Sequence, residues 1–170
     1  MLAKVMKVRR CYNPAVAPQP GIPREIQLPE GAELVLRAHA SGVQIYVCQE
    51  SAEGKLVWTL KGPEATLYDE GGTVMGSHSL GPNWKHSDGS EISARAVARV
   101  NAPDPTSAIP WLLLSVTTHS GKGIFDRVTA VQRINTDGGH APQGGCSPSD
   151  RGAETRSEYT ADYLFYFAPK

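Results

Sequence analysis

ELVLRAHASGVQIYVC, residues 33–48, carries the pattern that decides the fold. In each half of this stretch apolar residues alternate with others, and in the second half three aliphatic residues lie opposite Gln44, Tyr46 and Cys48. Alternation with a period of two predicts β-strands, because successive side chains of a strand point to opposite faces of the sheet. The small residues at 40–42 predict a tight hairpin turn that joins two short strands.

Similar runs follow along the rest of the chain. Turns rich in glycine and proline separate them, and they cover residues 55–60, 63–69, 91–100, 109–118, 123–136 and 159–168. The alanines and arginines of 91–100 would also suit a helix, whereas the valine and threonines that end 109–118 favour a strand. Eight or nine short strands without a convincing helix predict an all-β fold, built as a single antiparallel β-sandwich or β-barrel domain.

The last run, YTADYLFYFA at 159–168, is aromatic on one face. That face predicts a strand at the centre of the core, because each buried ring removes a large apolar area from water. Asp162 alternates with the aromatic face, so we expect it to point the other way, towards Arg133 or Arg127 on a neighbouring strand. The residues on the aromatic face are Tyr159, Ala161, Tyr163, Phe165 and Phe167.

The beginning of the chain differs from the rest. Residues 1–30 are expected to form an extended, basic and proline-rich N-terminal arm, and residues 31–170 the all-β domain. Proline fixes φ and removes a backbone donor, which argues against a helix or a central strand in the arm. The first residues are basic but contain no apolar h-region, so this chain has no signal peptide as it stands.

Composition excludes several classes of function. Seventeen Lys and Arg balance seventeen Asp and Glu in the 170 residues, so the chain lacks the positive field that favours nucleic acid. No apolar run approaches the roughly 20 residues that span a bilayer, so no transmembrane segment is expected. The composition is that of an ordinary globular domain.

Six blocks of sequence, together with Cys146, carry a resemblance to a known family. They are GVQIYVC (42–48), VWTLKGPEATLYD (57–69), GSHSLGPNWKHSDGS (76–90), IPWLLL (109–114), VQRINTDGGHAP (131–142) and YTADYLFY (159–166). In this order they resemble the domain-of-unknown-function family numbered thirty-four fifty-five, known from bacterial and fungal genomes. The resemblance covers most of the chain, from about Gly31 to Phe167.

The resemblance implies export, and therefore a secreted or periplasmic protein, and it brings no established activity. Cysteines recur in the family at the positions of Cys48 and Cys146, which implies a disulfide between them. Such a bond would close a loop of about 100 residues and stabilise the fold by roughly 4–5 kcal/mol on the chain-entropy account. Cys11 lies outside the matched region and would be left free.

The block at 76–90 contains candidate metal ligands. His78, His86 and Asp88 could together hold a divalent transition metal, and His119 and His140 could complete the site if the loops gather at one end of the domain. The alternative is an ordered loop without a ligand. In that interpretation the tryptophan of the block lies at the edge of the core, and Asp88 accepts hydrogen bonds from N–H groups of its own loop.

The block at 131–142 contains candidate ligand-binding residues. Gln132, Arg133 and Asn135, placed beside exposed aromatic side chains such as Trp84 or Tyr46, would suit a surface that binds a sugar or another small ligand. The alternative is again structural, with Asn135 and Asp137 ending a strand and the following glycines supplying positive φ angles.

Three hypotheses of function follow. The first is a secreted, non-catalytic binding or structural module that contacts carbohydrate, the cell envelope or a small molecule and needs no cofactor. The second is an enzyme that uses the loop histidines to hold one divalent transition metal. The third is a cofactor-free hydrolase or isomerase that works in a cavity between sheets. No GxSxG motif supports a serine nucleophile.

Overall fold

Each strand of the protein pairs with the next one along the chain, and the last strand returns to pair with the first. The computed structural model describes residues 21–169. Its strands are β1 Glu33–Glu50, β2 Leu56–Tyr68, β3 Val74–Ser79, β4 Asn83–His86, β5 Glu91–Val100, β6 Trp111–Ser120, β7 Ala130–Gly138 and β8 Glu154–Phe167. Short 3₁₀ helices span Arg24–Ile26, Ile124–Arg127 and Pro148–Asp150.

All neighbouring strands are antiparallel, and the sheet closes into an eight-stranded barrel. The prediction of an all-β antiparallel domain is confirmed, and of its two alternatives the structure has the barrel. The segment 91–100 is a strand, although its composition would also suit a helix. Within residues 21–169, none of the helices has the length and apolar character of a segment that crosses a bilayer.

The predicted hairpin turn at 40–42 is wrong. β1 runs through these residues without a break and pairs there with β2 on one side and β8 on the other. Gly42 is needed for close approach rather than for turning: a Cβ at this position would lie 2.2 Å from the carbonyl oxygen of Glu64 and 2.5 Å from the Cα of Ala65. A small residue therefore lets two strands lie unusually close.

The runs 55–60 and 63–69 also belong to one strand, β2. Tyr46 pairs with Leu60 and Ile45 pairs with Gly62, so Lys61 is left without a partner residue on β1. This is a β-bulge, in which one extra residue is accommodated within a continuous strand. Glycine at 62 has a φ of 156°, in the region that glycine adopts most readily.

The aromatic face of β8 points into the barrel, as predicted. Tyr159, Ala161, Tyr163 and Phe165 are all buried, and Phe167 is partly buried. Rings pack against one another in the interior, with Phe165 lying 4.7 Å from Phe125 between ring centroids. Close packing of this kind leaves little space between these two rings.

A second cluster covers the outside of the wall. Leu164 and Tyr166 alternate with the inward residues of β8, so they face outwards, and yet they are buried. Ile26, from the described part of the predicted arm, packs in the same cluster and is fully buried. Gln132 donates a hydrogen bond of 2.7 Å to its carbonyl oxygen. The segment just before β1 is thereby fixed to the outer wall.

Asp162 points outwards as expected, but its predicted partners are wrong. It accepts hydrogen bonds from Asn135 at 2.8 Å and from Arg37 at 3.2 Å, and its other oxygen lies 3.0 Å from His39 Nδ1. Arg133 is turned to the opposite face of the wall. Arg127 instead pairs with Glu33 at 2.9 Å.

Candidate ligand-binding site

A cavity of about 310 Å³ lies inside the barrel, next to the packed rings, where its lining residue Trp84 lies 6.0 Å from Phe165 between ring centroids. All eight strands contribute to its wall. The apolar part is formed by Leu60, Leu80, Pro82, Ala96, Leu112 and Leu114. The polar part is formed by Gln44, His78, Trp84, Arg133 and Tyr163. A mostly apolar cavity with a few convergent polar groups is the usual form of a small-molecule site, and this one lies at the lower end of the usual size range.

His78 and Trp84 form one side of the cavity. Their rings are stacked, with centroids 4.4 Å apart and planes 11° from parallel, because β3 and β4 pair these two residues directly. The edge of the Tyr163 ring meets His78 at 4.8 Å and Trp84 at 5.5 Å. Three rings from three strands therefore hold one another in place.

The protonation of His78 follows from its surroundings. The pKa of His78 is lowered to about 3, mainly because the side chain is buried. A hydrogen bond to the Asn83 carbonyl raises this pKa in part, and the positive charge of Arg133 lowers it. The imidazole is therefore neutral at neutral pH. Nδ1 lies 2.8 Å from the Asn83 carbonyl oxygen and must carry the proton to donate to it, which leaves Nε2 as an acceptor.

Two buried polar atoms in the cavity wall have no hydrogen-bond partner within the described part of the chain. They are the indole Nε1 of Trp84, a side chain that is fully buried, and Oε1 of Gln44, a side chain that is 2% exposed. A buried polar group without a partner costs about 1–3 kcal/mol. Each of the two groups therefore has hydrogen-bonding capacity left for another molecule.

Arg133 brings a positive charge to the same cavity. Its Nε and one terminal nitrogen both donate to the carbonyl oxygen of Pro110, at 3.1 and 2.8 Å, which fixes the guanidinium. It is only partly exposed, and among residues 21–169 no carboxylate forms a salt bridge with it. Its charge lowers the pKa values of Tyr46, His78 and Tyr163, in each case after the larger effect of burial.

Two tyrosines continue the polar wall into the barrel. The hydroxyls of Tyr159 and Tyr163 lie 3.2 Å apart. Burial raises the pKa of both phenols above the ordinary value of 10. Both side chains are therefore neutral, and they act as hydrogen-bonding groups rather than as bases.

Two large apolar side chains lie at the mouth of the cavity. Leu60 and Leu80 are 53% and 57% exposed, which is unusual for such large aliphatic side chains. They lie at the β2 bulge and at the turn between β3 and β4, and a Cβ at Gly62 would come within 2.4 Å of Leu80. The absence of a side chain at 62 thus permits the turn to lie over the bulge at the edge of the opening.

The four predicted ligand-binding residues are divided between the two faces of the wall. Trp84 and Arg133 both line the cavity. Gln132 points to the outer cluster, and Asn135 lies outside with Asp162. The expectation that Trp84 and Tyr46 are exposed is wrong: both are buried, and the Tyr46 hydroxyl donates to the Gly139 carbonyl. Asn135 has a φ of 50°, as expected of a residue at a bend in its strand.

The five predicted metal-binding residues are not brought together. His78 is inside the barrel. Of the other three predicted histidines, His86 lies beside Asp88, His119 lies against the Val128 carbonyl, and His140 lies against the Pro105 carbonyl. Within residues 21–169, no three His, Cys, Asp or Glu side chains converge as metal ligands would. The placement of these residues lends no support to a metal centre, and the metal hypothesis stays a prediction.

Asp88 has the structural role that was the alternative to metal binding. One oxygen accepts from the backbone N–H and the hydroxyl of Ser90, at 2.9 and 2.6 Å. The other oxygen accepts from the N–H of Ile124 at 2.7 Å. Asp88 therefore joins its own loop to the 3₁₀ helix that begins at Ile124. The Ser90 hydroxyl and these N–H groups hold the pKa of Asp88 well below its usual range.

A disulfide joins Cys48, in β1, to Cys146 in the long connection between β7 and β8, with Cα atoms 6.0 Å apart. The pairing that the family resemblance implied is thus present in the structure. It fixes this connection against the wall of the barrel. Cys11 lies outside the described residues.

A wider groove on the outside of the barrel is a weaker candidate. It has a volume of about 570 Å³ and is lined by Arg37, His39, Tyr68, Asp69 and Asp162, among others. Its central carboxylate already has partners. Burial alone would raise the pKa of Asp162, but hydrogen bonds from Asn135, His39 and Arg37 outweigh it and lower that pKa.

Sequence reasoning missed Gln44 and Tyr163 as site residues. The signal for Gln44 was its place in the alternation of β1, where even-numbered residues from Ala38 to Cys48 share the inner face. The mistaken turn at 40–42 broke this alternation into two parts. Tyr163 was assigned to the core, which is correct, but a core residue can also line a cavity.

The fold and the site define a class of protein: a closed antiparallel barrel with a partly polar cavity inside it. Comparison with protein families gives a match over residues 29–167 to the family described as Protein of unknown function (DUF3455). The chain belongs to this family, as the resemblance indicated. Neither the curated proteins nor the solved structures gave a match.

Proposed function

We propose that the protein is a binding module that holds a small molecule inside its barrel. The observation that carries the proposal is the pair of unpartnered polar atoms, Trp84 Nε1 and Gln44 Oε1, in the wall of one cavity. One is a donor and the other an acceptor, so a single ligand with a polar head could satisfy both. The apolar walls would contact the rest of that ligand.

The rigidity of the wall supports binding. Trp84 is held between His78 and Tyr163, and Arg133 is held by Pro110, so the polar groups are fixed before a ligand arrives. Preorganisation of this kind reduces the entropic cost of binding. It favours a specific ligand over a flexible, unspecific surface.

A non-catalytic role is the better supported one. Among the lining residues within 21–169, His78 is the only histidine, and it has a pKa of about 3, far below the neutral range in which a general base is most effective. Among the described lining residues there is no carboxylate that could take its place. The hydrolase or isomerase hypothesis therefore lacks a proton acceptor of suitable pKa.

We also propose that the protein works outside the cytosol. The disulfide between Cys48 and Cys146 supports this, because disulfides persist mainly in oxidising compartments. The family resemblance supports it independently, since it implies export. Mass spectrometry of the protein isolated from its own cells under alkylating conditions tests it: free thiols at both positions would count against an exported protein.

The binding proposal is tested by an NMR screen of small molecules against the ¹⁵N-labelled protein. The indole N–H of Trp84, assigned with a Trp84→Phe variant, should shift on binding. The indole N–H of Trp111 is the internal control, because Trp111 belongs to the cluster on the outer wall. A library of small amphiphilic acids, amides and alcohols that never moves the Trp84 signal would indicate a cavity filled by water alone.

A further inference from the structure

The charges around the cavity are unbalanced. Two cations, Lys61 and Arg133, line it, and the lining residues within 21–169 include no Asp or Glu. Lys61 forms a salt bridge with Glu154 and is about half exposed at the rim. Arg133 is the cation without such a partner in the described part of the chain. The cavity thus has one uncompensated positive charge.

An unpaired charge in a partly buried site is costly, and a bound counter-ion removes much of that cost. The guanidinium has five N–H donors: the Pro110 carbonyl engages the Nε and one terminal nitrogen, and the Tyr163 hydroxyl accepts a further bond. Two donors therefore remain for another acceptor. A carboxylate is the acceptor whose two oxygens match the planar fork of a guanidinium.

We propose that the ligand is a small monocarboxylic acid whose carboxylate binds Arg133 and whose apolar body contacts Leu112 and Leu114. This inference rests on the proposed binding function and names its ligand class. Leu112 pairs with Arg133 across β6 and β7, so the apolar contact lies directly beside the charge. Trp84 Nε1–H supplies a further donor to the carboxylate, whereas Gln44 Oε1, itself an acceptor, bonds to a hydroxyl on the body of the ligand or to a water beside it.

The size and the single charge exclude bulkier or more highly charged ligands. A cavity of about 310 Å³ suits a molecule smaller than most drugs. A dianion such as a phosphate monoester would have one negative charge left unpaired among leucines, which is unfavourable. One carboxylate balances one guanidinium.

The test uses three matched probes that differ only in the head group: 3-phenylpropanoate, 3-phenylpropanamide and 3-phenylpropan-1-ol. Octanoate and octanamide repeat the comparison with an aliphatic body. Affinities are measured on the wild-type chain by the shift of the Trp84 indole signal and by calorimetry. We expect each acid to bind at least about tenfold more tightly than its amide, since a charge-assisted pair in a partly dry site is worth more than a neutral hydrogen bond.

The outcomes separate this inference from the proposed function. If acids, amides and alcohol bind equally, the carboxylate class is wrong and the binding function stands. If none of the probes shifts the Trp84 signal, both are overturned. The wild-type comparison is independent of any variant, so a variant that fails to fold does not prevent a decision.

Substitution of Arg133 gives a second measurement. Arg133→Gln should reduce the affinity for the acid to that for the amide, while Arg133→Lys, which retains the charge but not the fork, should lie between. Arg127→Gln removes one charge from an exposed ion pair with Glu33 and is the matched control. Equal losses of acid binding in Arg127→Gln and Arg133→Gln would show a general effect of net charge and overturn the assignment.

Discussion

His78 and Trp84 face each other across the β3–β4 hairpin, with ring centroids 4.4 Å apart, and together they form one wall of an internal cavity. The same contact positions the unpartnered indole N–H and buries the imidazole. The stability of the protein and the shape of the cavity therefore depend on the same pair of rings.

Trp84→Ala should lower the free energy of unfolding by about 3–5 kcal/mol, because a large, fully buried side chain is removed from a packed environment. Chemical denaturation measures the change. Trp58→Ala, at a partly exposed tryptophan, is the matched control and should cost less. Equal costs for the two variants would contradict the central position of Trp84 in the core.

The stability of the protein should decrease between about pH 6.5 and pH 4.5. The unfolded chain binds a proton at His78 near the ordinary pKa of 6.5, whereas the folded state does so only near 3. Protons therefore favour the unfolded state in this window, by up to about 1.4 kcal/mol per pH unit. Denaturation curves across this range give the slope.

His78→Phe should flatten that slope, because it removes the group whose pKa differs between the two states. His140→Phe is the control, since His140 is exposed and lies at the surface. The carboxylates with lowered pKa values, such as Asp88 and Asp162, titrate in the unfolded state near 3.8 and affect stability mainly below this window. An unchanged slope in His78→Phe would refute the assignment.

Loss of the Cys48–Cys146 disulfide should destabilise the fold by roughly 4–5 kcal/mol on the chain-entropy account, because the bond joins residues 98 apart in sequence. The double variant Cys48→Ser/Cys146→Ser should unfold at lower denaturant than the oxidised wild type. A reductant should shift the wild type towards the double variant and leave the double variant unchanged. A wild type that is insensitive to reductant would speak against the bond.

Gly42→Ala should destabilise the barrel by about 1–3 kcal/mol or more, since the new methyl group would meet the backbone of Glu64 and Ala65. Gly71→Ala is the matched control: it lies exposed between β2 and β3, and its nearest neighbour would be a side-chain oxygen of Asp69 at 3.4 Å. Thermal denaturation compares the two. A tolerated alanine at 42 would mean that β1 and β2 can separate there at little cost.

Much of the architecture could be predicted from residue types. The alternation of β8 identified its buried face, and turns rich in glycine separated most strands. The continuity of β1 could not be predicted, because the glycine at 42 is required by the backbone of Glu64, a contact that is made only after folding. A small residue in a strand and one in a turn look alike in sequence.

The candidate site was harder to predict than the fold. Alternation shows that Gln44 and Val43 lie on opposite faces, but it does not show which face is the inside, and here the polar residue is the inner one. His78 and His86 were grouped because they are close in sequence, and His119 and His140 because loops can gather at one end, whereas closure of the barrel buries His78 and leaves His140 exposed at the surface. Trp84 and Arg133 could be recognised as ligand-binding types, but their proximity requires the strand order.

The seam between β1 and β8 bears on how the molecule is made. Its partners, from Glu33 with Phe167 to Val47 with Glu154, are more than a hundred residues apart in sequence. Until β8 has been synthesised, β1 and β7 each keep an open hydrogen-bonding edge, which is prone to pairing with other chains. Such distant pairing also slows folding. Protection of the open edges and completion of the cavity wall, to which β8 contributes Tyr163, are therefore achieved together, late in biosynthesis.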